Sequence, residues 1–134
     1  MKVRQAVGFV TLAGLEAAIR SSWGPDTSDD PQDWSDENPA RGQCAVTAMV
    51  VRELLGGEIL IAPVLPRAGI GHEHHAWNRL PSGLEVDLTR EQFTDGEDLG
   101  PPEVREPRVA IRGVDRYRLF AERVEALLGA HQAG

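Results

Sequence analysis

The reading of the fold turns on Gly42-Gln43-Cys44-Ala45-Val46-Thr47-Ala48-Met49-Val50-Val51-Arg52-Glu53-Leu54-Leu55-Gly56-Gly57. From Cys44 to Leu55 the apolar side chains occupy the whole circumference of a 3.6-residue period, the pattern of a helix covered on most sides. Gly56-Gly57 supplies the left-handed stop that such helices favour, and Gly42 lets the chain turn sharply into the first turn. The stretch therefore predicts a central helix with the single cysteine of the chain in its first turn.

That position suits chemistry. A thiol attacks as thiolate, and the helix dipole and free N–H groups of a first turn favour that form. A lone cysteine cannot close an intramolecular disulfide, which points to a cytoplasmic protein. The alternative is a cysteine that acts as a small buried hydrophobe.

Downstream, Glu58 to Val64 is a β-branched run expected as a strand, and Pro66 to Gly71 a loop. His74 to Leu80 and Leu84 to Leu88 read as two strands joined at Pro81-Ser82-Gly83, which fits a three-residue hairpin loop. With Leu80 and Leu84 paired across it, Trp77 stands opposite Asp87. His75 is then the diagonal neighbour of Asp87 on the same face, about 7–8 Å away and within reach of a hydrogen bond. Alternation sends His72 and His74 to the opposite face, so His75 is the candidate base, with His74 in reserve should a bulge intervene. Thr89-Arg90-Glu91-Gln92 matches a capping box and predicts a short helix. Val109 to Ile111 is expected as a last strand. Tyr117, Phe120, Val124, Leu127 and Leu128 predict a C-terminal helix with Asp115 as N-cap.

Upstream, a first helix is expected near Thr11 to Ser21. Met1-Lys2-Val3-Arg4 and the apolar residues from Ala6 to Leu15 imitate a secretion signal, but Glu16 and Arg20 follow at once and no cleavage site is evident. Gly24 to Ala40 carries three prolines, Trp34, and the acids Asp26, Asp29, Asp30, Asp33, Asp36 and Glu37. It reads as a loop, either solvated or a flap over the site. Its charge could favour a cationic amine or basic peptide.

At 134 residues, with 41% hydrophobic and 26% charged residues, the chain is expected to form one folded domain. A net charge of −7 argues against nucleic acid as partner. No apolar run approaches the ~18 residues needed to span a bilayer, so a soluble protein without membrane contact is expected.

Cys44, His75 and Asp87 thus compose a candidate triad. His75 would take the thiol proton and return it to the leaving group, while Asp87 fixes the ring. The backbone N–H of Cys44, with the side chain of Gln43 or Asn38, would stabilise the oxyanion. Trp34 and Trp77 are candidate substrate contacts, the substrate being a small amide or a peptide. No cofactor is called for. A minor alternative is a metal held by His72, Glu73, His74 and His75 with Glu85 or Asp87, although a stable site needs three or four converging ligands.

Gly42-Gln43-Cys44, the helix ending at Gly56-Gly57, His75-Ala76-Trp77 and Val86-Asp87-Leu88-Thr89 resemble the core of the transglutaminase-like branch of papain-fold cysteine enzymes. Asn38 to Phe93 further resembles small bacterial YunG-like proteins, through Gly42 to Ala48, Gly56-Gly57-Glu58-Ile59, Trp77-Asn78-Arg79-Leu80, Glu85 to Thr89 and Gln92-Phe93. The resemblance implies an α+β fold with the Cys44 helix packed on a small antiparallel sheet that presents His75 and Asp87. It implies Cys44 as nucleophile, His75 as base and Asp87 as orienting residue. Calcium dependence and protein cross-linking do not carry over, since the chain lacks the extra domains of the animal enzymes.

Two readings follow. In an acyl-transfer enzyme, Cys44→Ser abolishes function and shortening the acidic loop does less. In a non-catalytic binding or assembly module that uses the loop and Trp34, the loop deletion abolishes function and Cys44→Ser leaves it intact.

Overall fold

Helix α2, Cys44–Leu55, runs through the middle of an α+β fold in the computed structural model, which describes residues 11–65, 73–94, 96–107 and 111–133. Val50 and Val51 have no exposed surface. On one side they meet Leu15 and Ile19 of α1 (Leu12–Ser22) and Phe120, Val124 and Leu128 of α3 (Ile111–Ala133). On the other side Ala48 packs against Ile59 and Ile61 of β1 (Glu58–Leu65) and Ala76 of β2 (His74–Arg79). Each fully buried valine contributes about 2 kcal/mol. Gln43, the N-cap residue, makes no side-chain cap. Packing on both sides, rather than capping, therefore holds Cys44 in place.

The ends of the helices follow local chemistry. Thr11 Oγ1 accepts the Gly14 N–H at 3.0 Å and caps α1. Gly56, at φ 78°, closes α2 by donating its N–H to the Arg52 carbonyl at 2.9 Å.

The sheet is antiparallel and centred on β1. Glu58 lies opposite Arg79 and Pro63 opposite His74, which sets β2 beside β1. Among the described residues the outer edge of β2 carries only the short β3 (Glu85–Val86), with Val86 opposite Asn78. The hairpin closes as its sequence requires: Leu80 N–H bonds to the Leu84 carbonyl and Gly83 N–H to the Leu80 carbonyl, both at 2.8 Å. The other edge of β1 is shared by β4 (Asp98–Leu99) and β5 (Glu103–Val104), with Val64 opposite Leu99 and Leu60 opposite Val104. Pro63 is tolerated inside this central strand because only its carbonyl is called on there, accepting the Gly100 N–H at 2.8 Å.

Several expectations are corrected. β3 stops at Val86 instead of Leu88, because the Asp87 side chain turns back on the chain. Strands β4 and β5 were not legible, since two-residue strands around Gly100-Pro101-Pro102 carry no periodicity and arise from pairing with β1. α3 begins at Ile111, so Asp115 is inside it rather than at its cap, and Ile111 is helical rather than strand. The single Gly113 does not stop a helix already running. Val109, the loop from Pro66 to Gly71, His72 and the signal-like start of the chain lie outside the described residues. No helix among the described residues is long and apolar enough to cross a membrane.

The acidic segment is folded down on the entrance to α2. Ser28 Oγ donates to the Arg41 carbonyl at 2.7 Å, and Asp29 N–H to the Gly42 carbonyl at 2.8 Å. Four of its acids meet arginines: Asp26 with Arg123, Asp29 with Arg116, and both Asp30 and Asp33 with Arg41. Gly42 makes this close approach possible. Its φ is 73°, and a Cβ there would meet Ser28 Oγ at 2.3 Å and the Asp30 and Asp29 nitrogens at 2.7 and 2.8 Å. Gly42→Ala is expected to lower stability by at least about 2 kcal/mol, measured by chemical denaturation; an unchanged midpoint would contradict this account of the loop.

Candidate functional site

Among the described residues the outer edge of β2 is paired only at Asn78 and Arg79, and the N-terminus of α2 reaches β2 near its other end. Cys44 Sγ lies 4.0 Å from the His74 carbonyl oxygen, and the thiol is partly exposed. A cleft of about 500 Å³ opens at this point, lined by Cys44, His74, His75, Gln92, Arg41 and Glu73 among others.

His75 has no exposed surface. Its ring stacks on Trp77, with centroids 5.6 Å apart at 20°, and takes the edge of Phe93 at 5.0 Å and 80°. Its Nε2 is 2.7 Å from Asp87 Oδ2. The register that makes Trp77 the neighbour opposite Asp87 is the one expected from the hairpin, and the diagonal reach to His75 is realised. Asp87 is held in turn by the Thr89 N–H, which donates to Oδ1 at 3.3 Å, and is 19% exposed, with Arg90 3.9 Å away. His74 sits opposite Pro63 and His75 opposite Ala62, so the two rings project to opposite faces as alternation requires. His74 is accordingly no partner for Asp87. Among the described residues, which leave out His72 of the His cluster, no three His, Cys, Asp or Glu side chains gather.

Other candidates are placed elsewhere. Gln43 is fully buried, its Oε1 accepting from Thr27 Oγ1 at 2.9 Å and its Nε2 donating to the Gly24 carbonyl at 2.9 Å. Its amide is used up in anchoring the loop and does not face the cleft. Asn38 Nδ2 donates to the Gln92 carbonyl at 3.0 Å, one layer behind the cleft wall. Trp34 Nε1 donates to the Pro39 carbonyl within its own loop, and Trp77 Nε1 to Glu85. Neither tryptophan lines the cleft; Trp77 supports the imidazole from beneath. Of the acidic segment, Asp29 and Asp30 do reach the cleft wall, so this loop is a fixed flank of the site.

The residue that sequence reasoning missed is Gln92. Its pattern fitted a capping box, yet Thr89 makes no side-chain cap and its Oγ1 is buried without a partner. Asp87 takes over the turn instead. Gln92, at 5% exposure, turns the other way: Oε1 accepts the Gly42 N–H at 3.1 Å and Nε2 comes to 3.4 Å from His75 Nδ1. Arg41 was missed as well. It ties Asp30 and Asp33 of the loop to Glu73 just before β2, with 13% of its side chain exposed.

The comparisons with known proteins bear on residues 11–129, which match the family model described as YunG protein. A Bacillus subtilis (strain 168) protein named "Uncharacterized protein YunG" is 32% identical over 75 residues, 56% of each chain. The match thus spans about half the length of that curated relative. No solved structure matches the chain.

The electrostatics of His75 set a pH dependence. Burial disfavours the imidazolium, but the hydrogen bonds to Asp87 and to Cys44 outweigh it and push the ring up to about 9 from 6.5. A histidine raised in this way stabilises the fold fully below its unfolded value of about 6.5, and the contribution drains away as pH climbs through the folded value. Stability is expected to fall by up to about 3 kcal/mol between those limits. Asp87→Asn should flatten the slope in denaturant titrations run across this range, and a wild-type profile already flat would refute the assignment.

Proposed function

The chain belongs to the YunG family, a name that states no activity, so the chemistry must come from the cleft itself: we propose that this is a thiol-dependent enzyme of acyl transfer or amide hydrolysis. Cys44 is the nucleophile, His75 the acid and base, and Asp87 the residue that orients the ring. A cysteine helix packed on an antiparallel sheet, with the histidine on β2 and the aspartate just after β3, supports a likeness to the transglutaminase-like branch of papain-fold enzymes.

The observation that carries the reading is the buried imidazole with both ring nitrogens engaged. Nε2 is occupied by Asp87 at 2.7 Å and Nδ1 has the Gln92 amide at 3.4 Å, while Cys44 lines the same cleft and lies near enough to help raise the ring. Asp87 alone would explain a structural histidine. A thiol that lines the same open cleft as the ring and helps to raise it supports proton transfer between sulfur and ring.

The steps follow from these positions. With its proton held on Nδ1 of His75, sulfur attacks the carbonyl carbon of a small amide or peptide; an S–C bond forms and the carbonyl pair moves to oxygen. Collapse breaks the C–N bond, and Nδ1 returns the proton to the departing amine. Water or a second amine then gives a proton to His75 as it attacks the thioester, and sulfur leaves as thiolate. Asp87 holds the ring in place throughout and balances the imidazolium.

Intact-mass spectrometry after incubation with p-nitrophenyl acetate tests this. The wild-type chain should gain one acetyl group, mapped to Cys44, and Cys44→Ser should gain none. His75→Ala should slow the gain by about 10²-fold or more, in keeping with loss of an acid–base partner. Acetylation undiminished in His75→Ala, or absent from the wild type, would sink the enzyme reading and leave the binding module.

A further inference from the structure

We propose that Gln92 donates the hydrogen bond that stabilises the oxyanion in this cleft, in the role that sequence analysis assigned to Gln43 or Asn38. The inference rests on the reading of Cys44 as nucleophile.

The orientation of the Gln92 amide is decided by its partner. The Gly42 N–H can only donate, so the amide atom 3.1 Å from it is Oε1, and Nε2 faces His75 and the cleft. Nε2 lies 3.4 Å from Nδ1, the ring nitrogen that Asp87 leaves free, and Cys44 lines the same cleft. That contact is a hydrogen bond only while Nδ1 carries no proton. Once His75 has taken the thiol proton, Nδ1 is itself a donor and can no longer accept from Nε2. A buried amide, 5% exposed, then holds an N–H with no acceptor in the wall of the cleft that also carries Cys44. Leaving such a donor unmatched is costly, and a negative oxygen forming on the carbon under attack is the acceptor that would satisfy it. The first-turn N–H of Cys44, which has no acceptor within its own helix, supplies the second donor. Gln92 is held rigidly enough for this: its Oε1 is fixed by Gly42, and its backbone carbonyl accepts from Asn38 at 3.0 Å.

Two probes of the same sulfur separate this role from a structural one. Acetylation by p-nitrophenyl acetate passes through a tetrahedral oxyanion: S–C forms, the carbonyl pair moves to oxygen, and p-nitrophenolate leaves. Alkylation by iodoacetamide displaces iodide at a saturated carbon and places no charge on oxygen. Both rates are measured on wild type, Gln92→Met and Gln92→Glu; the glutamate variant keeps an acceptor for Gly42 while removing the donor and adding a charge, and the methionine variant removes the donor without adding one. The ratio of acetylation to alkylation should fall by about 10²-fold in both variants. A ratio unchanged in Gln92→Glu, or both rates falling together, would overturn the proposal while leaving Cys44 as nucleophile. A wild-type Cys44 inert to both reagents would instead overturn the underlying reading, and this proposal with it.

Discussion

The packing of α2 against helices on one side and sheet on the other is the constraint from which the site follows. Val50 and Val51 are fully enclosed, and Ala48 meets Ile59, Ile61 and Ala76 across a short gap. A further link fixes the height of the helix along β2: Asn78 Nδ2 donates to the Ala48 carbonyl at 2.9 Å. With translation and rotation both fixed, Cys44 emerges beside the start of β2, its sulfur 4.0 Å from the His74 carbonyl oxygen. An unfilled cavity in such a core costs several kcal/mol, so the helix cannot slide to relieve strain at its end.

The second constraint is the buried histidine. An imidazolium without a partner would not survive in an apolar setting, and this one is enclosed by Trp77 and Phe93. Asp87 makes it tolerable, and Asp87 is itself anchored by the Thr89 amide. The same turn that ends β3 early therefore serves two ends: it aims the carboxylate at Nε2 and swings Gln92 towards the other side of the ring. The acidic segment completes the enclosure. Arg116 and Arg123 on α3 and Arg41 ahead of α2 pair with its carboxylates, so a stretch rich in like charge is fastened down instead of splayed into solvent.

Much of this was legible in one dimension. The all-round apolar pattern from Cys44 to Leu55 and the Gly-Gly stop gave the helix its observed bounds. The Pro81-Ser82-Gly83 loop set the register, and period-two alternation then separated His75 from His74 and put His75 in reach of Asp87. These signals share a cause: each depends on backbone geometry repeated over a few residues, so neighbours in the chain suffice to reveal it. β4 and β5 were invisible because two residues make no period. Asp115 misled because a good capping residue can equally sit inside a helix that starts earlier.

The sequence by itself determined the central helix, the hairpin and the family, together with Cys44, His75 and Asp87 as the candidate set. Tertiary structure alone decided which polar side chains spend their hydrogen bonds on the scaffold and which face the cleft. Gln43 and Gln92 are chemically identical. The first is consumed by Thr27 and Gly24 in the interior, while the second is held by Gly42 beside the imidazole. An amide's role is set by the partners that reach it, and those partners come from segments up to 50 residues away, beyond anything local spacing can encode.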